Sequence, residues 1–226
     1  MSDILIAGVG GQGTVLAAKL LAKAALLEGH MVRTAETIGM AQRGGTVLGH
    51  VRIFQTSTYG GARSGSFSNE PMSPLIPPGT ADLLIGFEPG ETVRALPFLK
   101  HGGTVVTARQ VLIPASFAAA IASKATENTV TRQAYDGAAE LEYLRSCCKV
   151  GRLESLVVVD GNAVCSALGS YKVLNVLLLG AALSAECLSI AGHSLIAALE
   201  ALTKPEFLEL NKRALAIGMG SEDLYG

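Results

Sequence analysis

The residues of this chain best suited to chemistry are glycines with a few polar side chains set among them. Gly8-Val9-Gly10-Gly11-Gln12-Gly13 follows the apolar Ile4-Leu5-Ile6-Ala7 and runs directly into an apolar stretch from Thr14 to Leu27. A strand that enters a glycine-dense turn and leaves as a helix can face backbone N–H groups toward an anion, because no Cβ blocks the approach. Gly8, Gly10 and Gly13 keep the G-x-G-x-x-G spacing of dinucleotide-binding turns, and Glu36 stands where such folds carry the acid that holds a ribose. The same glycine spacing also serves close strand–helix packing alone, and the two readings stand side by side.

Two further constellations follow. Gln42 and Arg43 lie between Gly39 and the pair Gly44 and Gly45, in a stretch where neither helix nor strand requires long polar side chains. An arginine there can turn its planar five-donor fork toward a carboxylate or phosphate; alternatively it caps carbonyls of its own loop or pairs with Glu36. Glu88 closes the apolar strand Ala81-Asp82-Leu83-Leu84-Ile85, at the edge where open α/β sheets bind ligands. Its alternative role is to cap the helix that starts near Pro89. Asp160 and Asn162 around Gly161 read as a helix cap.

Other chemistries lack their residues. No Ser-His-Asp pattern is present, and the carboxylates show no spacing that makes a pair converge. His30, His50, His101 and His193 are scattered without metal-ligand spacing. Cys147, Cys148, Cys165 and Cys187 form no C-x-x-C pair and no ferredoxin-like run, and they read as buried free thiols of a reducing compartment.

The elements that must position these residues follow from the apolar pattern. Thr14–Leu27 is a helix sandwiched on most sides, with Lys19 and Lys23 as its narrow polar stripe, and Gly29 suits the position just past its end. Met31 to Glu36 reads as a second strand. Thr37 to Gly45 has no room for a crossover helix before the strand Thr46–Phe54, so that strand is expected to be antiparallel and the sheet mixed. Tyr59 to Thr80 is a long Gly, Ser and Pro-rich segment of the kind that functions or lies against a partner. Leu99 to Gly103 reads as a turn, Thr104–Thr107 as a buried strand, Ala138–Cys148 as a helix and Leu153–Asp160 as a strand. Ser116 to Arg132 supports either a short helix or an extended stretch. Helices fill the remainder. Tyr171–Ala191 is too short and too interrupted, by Asn175 and Glu186, to span a bilayer, and its Gly180, Ala181, Ala182 and Ser184 invite a second backbone, either the sheet or another subunit. The expected fold is a three-layer α/β, Rossmann-like domain over residues 1–226, with a mixed sheet and a helical C-terminal part.

Several separated motifs resemble, in order, the gamma-type component of the 2-oxoacid ferredoxin oxidoreductases. They are Gly8-Val9-Gly10-Gly11-Gln12-Gly13, Gly39-Met40-Ala41-Gln42-Arg43-Gly44-Gly45, His50-Val51-Arg52 and Ser73-Pro74-Leu75-Ile76-Pro77. Ala81 to Pro89 with Glu91 and Arg94, Asn175 in N-x-x-x-L-G-A, and Asn211 ahead of Ala214 and Gly218 continue the series. The G-M-A-Q-R-G-G wording is most similar to the beta subunit of the indolepyruvate-specific branch. The resemblance implies an enzyme that oxidises a 2-oxoacid, joins the acyl group to coenzyme A and passes electrons to ferredoxin. It implies that thiamine diphosphate and [4Fe-4S] clusters sit on a large partner subunit, that this chain is inactive alone, and that coenzyme A meets it, if at all, at the interface. Gly8, Gly10, Gly11, Gln12, Gly13, Gln42, Arg43, Gly44, Gly45 and Glu88 are then cofactor-contacting or interface residues. The sequence agrees in lacking both cluster cysteines and the G-D-G with paired asparagines typical of thiamine diphosphate sites. Two alternatives stay open: a self-sufficient nucleotide-binding oxidoreductase using the glycine turn, and a homodimeric binding module without catalysis.

Composition sets the outer limits. Apolar residues make up 49% of the 226 and charged ones only 16%, below the usual quarter, which points to surface covered by a partner. A formal charge of −1 leaves no basic excess for nucleic acid. No basic flank and apolar leader opens the sequence, and a cytoplasmic protein without membrane contact is expected.

Overall fold

The computed structural model describes residues 1–39, 45–54, 73–111 and 135–221. Six strands form one sheet in the order β2-β3-β1-β4-β5-β6. They are β1 (Ser2–Val9), β2 (Met31–Ile38), β3 (Thr46–Phe54), β4 (Ala81–Gly86), β5 (Leu99–Ala108) and β6 (Leu153–Val159). β1, β4, β5 and β6 run parallel, whereas β3 is antiparallel to both β1 and β2. The short connection after Ile38 imposes this hairpin, and Gly39 N–H donates to Thr46 O at 2.9 Å where it begins to turn. The mixed sheet is the one the sequence implies.

Seven α-helices lie among the described residues: α1 (Thr14–Leu27), α2 (Pro89–Ala95), α3 (Ala138–Lys149), α4 (Gly161–Ala167), α5 (Leu174–Ser184), α6 (Gly192–Leu202) and α7 (Pro205–Gly218). Alternation along β1 divides them between the two faces. Ile4 and Ile6 pack with α1, α5, α6 and α7, while Leu5 and Ala7 pack with α2 and α3. Three layers result, with the C-terminal helices gathered on the α1 side.

Helix α5 is buried from Leu174 through Ala182. At Gly180 the second backbone is that of α7. A Cβ built on Gly180 would lie 2.5 Å from Leu215 O, and one on Gly218 would lie 2.3 Å from Leu177 O. The two backbones therefore touch, and any side chain at either glycine would force the helices apart.

The segment Leu99 to Gly103, expected as a turn, is instead the start of β5. Leu99 is fully buried and pairs with Ala81, so burial holds it in the sheet, and the register shifts at Gly103/Thr104, just after Gly102 at a φ of +70°. The glycines make a bulge where a turn was expected.

The edge where the parallel strands begin is held by ion pairs. Arg52 and Asp3 are cross-strand partners, 5% and 1% exposed, and form a bidentate pair with both N···O distances at 2.9 Å. The same guanidinium donates to the carbonyls of Ser73 (3.1 Å) and Leu75 (3.4 Å). Asp3 N–H donates to Asp82, whose other carboxylate oxygen takes Lys100 Nζ at 2.6 Å. His50, also buried, accepts the Ile76 N–H at Nδ1 (3.2 Å); burial and the Arg52 charge hold its pKa below the ordinary 6.5. Near the end of α1, Glu28 reaches across to the start of α6 and accepts the Ala191 N–H at 2.7 Å. Burial alone would raise its pKa, but hydrogen bonds from Ser194 and Ala191 with the neighbouring His30 and His193 lower it below the ordinary 4.5.

Two outcomes follow from this edge. Arg52→Met leaves Asp3 buried and unpaired, and we expect a loss of about 3–5 kcal/mol in denaturant unfolding, with Arg52→Lys recovering only part because it cannot bond bidentately. The pH dependence has a definite sign. Both His50 and Glu28 have lowered folded pKa values, so the unfolded chain binds more protons and stability falls on acidification. The fall begins near pH 6.5 for His50 and near 4.5 for Glu28, each ending at the lower folded value. Urea midpoints measured from pH 8 to 3 should show both stages in the wild type, and Glu28→Gln should lack the lower one.

Candidate functional site

The opposite edge, where β1, β4, β5 and β6 end, collects the residues singled out by the sequence. Gly10 N–H donates to Gly45 O at 3.0 Å, so the glycine turn after β1 is joined directly to the end of the β2–β3 connection. Phe87 N–H donates to Ala7 O at 2.8 Å and brings the exit of β4 alongside. The structure thus gathers Gly8, Gly10, Gly11, Gln12, Gly13, Gly45 and Glu88 on one edge. Gln42, Arg43 and Gly44 lie outside the described residues, as do most of Tyr59 to Thr80 and all of Ser116 to Arg132.

Within the turn, the glycines do different work. Gly8 makes room for packing: a Cβ there would meet Gln12 Oε1 and Thr14 Cγ2 at 2.8 Å and Phe87 Cβ at 3.0 Å. Gln12 points inward, with Oε1 accepting the Val9 N–H (2.7 Å) and Nε2 donating to Phe87 O (3.3 Å). That side chain straps the turn to the exit of β4. Gly13, at a φ of +88°, precedes α1, and its Cβ would fall 2.8 Å from Asn175 Nδ2 at the start of α5. Gly11 alone is exposed, with a φ of +98° and open space where its Cβ would be. The amides of Val9, Gly10 and Gln12 are used internally, whereas the start of α1 has no side-chain cap.

Glu88 is the N-cap of α2, as its alternative reading holds. Its Oε2 accepts the Glu91 N–H at 2.9 Å and its Oε1 accepts the Tyr135 hydroxyl at 2.8 Å. Burial, then the bond to Glu88, push the Tyr135 pKa well above the ordinary range, so the phenol stays a donor. Gly90 is needed here, because a Cβ would lie 2.7 Å from the Tyr135 oxygen. Behind it, Gly86 leaves space for the Thr92–Thr107 hydroxyl contact of 2.8 Å. Arg94 holds Glu91 and donates to Thr46 Oγ1 at 3.3 Å, which ties α2 to the first residue of β3.

Farther along the edge, Asp160 caps α4 through the Ala163 N–H (3.3 Å), again the cap expected from the sequence. The Gln110 side chain lies over Gly161, 2.4 Å from where a Cβ would stand. Both of its amide atoms are buried without a partner among the described residues. Glu36 does not join the edge cluster as a dinucleotide acid should. It is exposed on β2, and β3 separates that strand from β1.

No group of three or more His, Cys, Asp or Glu that could hold a metal occurs among the described residues. The four cysteines are free, and burial raises the pKa of Cys148 and Cys187 and takes Cys165 up to about 11, so these three are protonated thiols at neutral pH. Tyr135 and Gln110 escape sequence reasoning. Tyr135 reaches Glu88 across 47 residues of chain, and nothing local marks it. Glu91, three residues past a capping acid, was within reach of a cap analysis.

Residues 3–221 match the family described as pyruvate ferredoxin/flavodoxin oxidoreductase. The chain is 28% identical over 217 residues to indolepyruvate oxidoreductase subunit IorB of Thermococcus kodakarensis, covering 96% of this chain and 94% of that one. It is 30% identical over 220 residues to the subunit of the same name in Archaeoglobus fulgidus, covering 96% and 92%. In fold it resembles the keto/oxoacid ferredoxin oxidoreductase gamma subunit of Geobacter sulfurreducens (TM-score 0.61, 19% identity, 98% of each chain). It also resembles 2-oxoglutarate:ferredoxin oxidoreductase from Magnetococcus marinus (TM-score 0.61, 17% identity), matching 97% of this chain but only 30% of that longer one. With its sequence matched almost from end to end and its mixed sheet shared with such subunits, the chain belongs to the pyruvate ferredoxin/flavodoxin oxidoreductase family, as a small subunit of an enzyme acting on 2-oxoacids.

Proposed function

We propose that this chain is the small subunit, carrying no cofactor of its own, of a cytoplasmic enzyme that oxidatively decarboxylates an aryl-pyruvate such as indolepyruvate, forms the acyl-coenzyme A and passes electrons to ferredoxin. The observation that carries this reading is the near full-length match to relatives named indolepyruvate oxidoreductase subunit IorB. Thiamine diphosphate and [4Fe-4S] clusters belong on a large partner subunit in this reading. The donor set among the described residues does not suit a cluster: the cysteines are dispersed over α3, α4 and the segment after α5. No step is therefore assigned to those groups here.

The carboxyl edge is then the surface that docks on the large subunit beside its active centre. A coenzyme A phosphate there suits the uncapped start of α1, where the amides of Gly13 and Thr14 and the helix dipole favour an anion. In this reading Arg43 and Gln42, which precede Gly44 and Gly45 in the sequence, face the same interface. Glu88 serves the site indirectly, since both its oxygens are occupied by Glu91 N–H and Tyr135.

The reading has direct tests. The purified chain with added thiamine diphosphate should not turn over indolepyruvate with an artificial electron acceptor, and activity should appear when the co-encoded large subunit is added. Turnover by the chain alone would refute it. Gly11→Leu projects a side chain into the open space above the turn, and Arg43→Lys loses the planar fork. Each should raise the apparent KM for coenzyme A or weaken assembly by about tenfold, beyond the ~1–2 kcal/mol of left-handed strain that Gly11→Leu imposes on the fold. Wild-type values for both in folded variants would reduce the turn to packing.

A further inference from the structure

Helices α6 and α7 enclose a groove of about 490 Å³, lined on its apolar side by Ile196, Leu215, Ala216 and Met219 and on its charged side by Lys212 and Arg213. Met219 extends from the end of α7 to the start of α6, where a Cβ on Gly192 would stand 3.1 Å from the Met219 methyl carbon. Ile196 is 38% exposed, so the groove presents apolar surface to its surroundings. The way the chain leaves α7 indicates what covers it. Gly220, at a φ of +69°, donates its N–H to Ile217 O at 3.0 Å, and the Ser221 N–H donates to Ala216 O at 2.9 Å. This pair of bonds is a Schellman motif, which turns the chain back beside the last turn of its helix. Ser221 is thereby held against Ala216, and both residues line the groove.

We propose that Glu222-Asp223-Leu224-Tyr225-Gly226, which lies outside the described residues, folds back over the seam of α6 and α7 in its own chain, with Leu224 and Tyr225 covering Ile196 and Met219. The reach is sufficient. Leu224 is three residues past Ser221, about 10 Å of extended chain, whereas α7 from Ala216 back to Lys212 measures only about 6 Å. The charges agree with this course, since the acidic pair Glu222 and Asp223 leads into a groove that carries two cations. Lys212 is held by Glu200 at 2.8 Å, and Arg213 adds the second positive charge beside it. Exposed ion pairs give direction more than strength, so the apolar contact of Leu224 and Tyr225 supplies the hold. The strap closes the end of α7 that packs on α5 through Gly218, and it does so whichever surface the large subunit uses.

The full chain, labelled at the isoleucine and methionine methyl groups, provides the test by nuclear Overhauser spectroscopy. The Tyr225 ring protons, assigned through Tyr225→Leu, should show contacts to the Ile196 and Met219 methyls. Ending the chain at Ser221 should abolish those contacts and shift both methyl resonances, while Ile4, buried in the sheet, keeps its own. Leu224→Asp combined with Tyr225→Asp should do the same at full length. Methyl resonances that ignore the truncation would overturn the proposal. So would contacts that arise only between labelled and unlabelled copies in a mixed sample, which assign the groove to a second copy. Resonances that move only when the large subunit is added would overturn it in favour of that partner.

Discussion

The connection from Ile38 to Thr46 is too short to carry a crossover helix, and the layout of the carboxyl edge depends on that limit. A strand that cannot cross over must turn back, so β3 is antiparallel and enters the sheet between β2 and β1. The end of the hairpin connection then arrives beside the turn that follows β1, and the Gly10–Gly45 hydrogen bond records the meeting. In a dinucleotide-binding sheet, a parallel second strand lies next to β1 and brings its acid to the glycine turn. Here the insertion of β3 moves Glu36 one strand farther out, roughly 5 Å of sheet width, and gives its place to the glycine-rich connection. One short link thus converts a nucleotide fold into a surface of loops.

The two ends of the sheet differ in how completely their polar groups are matched within the chain. The end where the parallel strands begin has its charges matched inside the chain, Asp3 with Arg52 and Asp82 with Lys100, and its helix α6 is capped by Glu28 from a distant element. At the carboxyl end, among the described residues, the start of α1 has no side-chain cap, Gly11 is exposed and the Gln110 amide has no hydrogen-bond partner.

Much of this was legible from the sequence, for reasons that can be assigned residue by residue. Local signals were sufficient where the cause is local. The apolar run of α1 ends with Gly29 at a φ of +80°, Glu88 and Asp160 cap the helices that follow them, and the missing crossover after Ile38 announces a mixed sheet. The misreadings arise where distant packing decides. Leu99 enters β5 because it is buried against the α2–α3 layer, and a bulge absorbs the glycines behind it. Gln12 turns inward because Val9 and Phe87 offer it a donor and an acceptor, which no spacing rule conveys. The glycine pattern marked the turn between β1 and α1 but could not tell Gly8, which is packed, from Gly11, which is open.

The backbone contact between Gly180 and Gly218 has a consequence for how the chain matures. Helix α5 is apolar on nearly every side, and α7, which covers its glycine face at Leu215 and Gly218, is the last helix among the described residues. During synthesis the strands and α1 emerge before α7, so the nascent chain carries α5 with that face bare until α7 follows. Completion of the α1-side layer is therefore a late event. A ribosome stalled before Pro205 would hold a nearly complete sheet that still displays an apolar helix face, the kind of surface that chaperones bind.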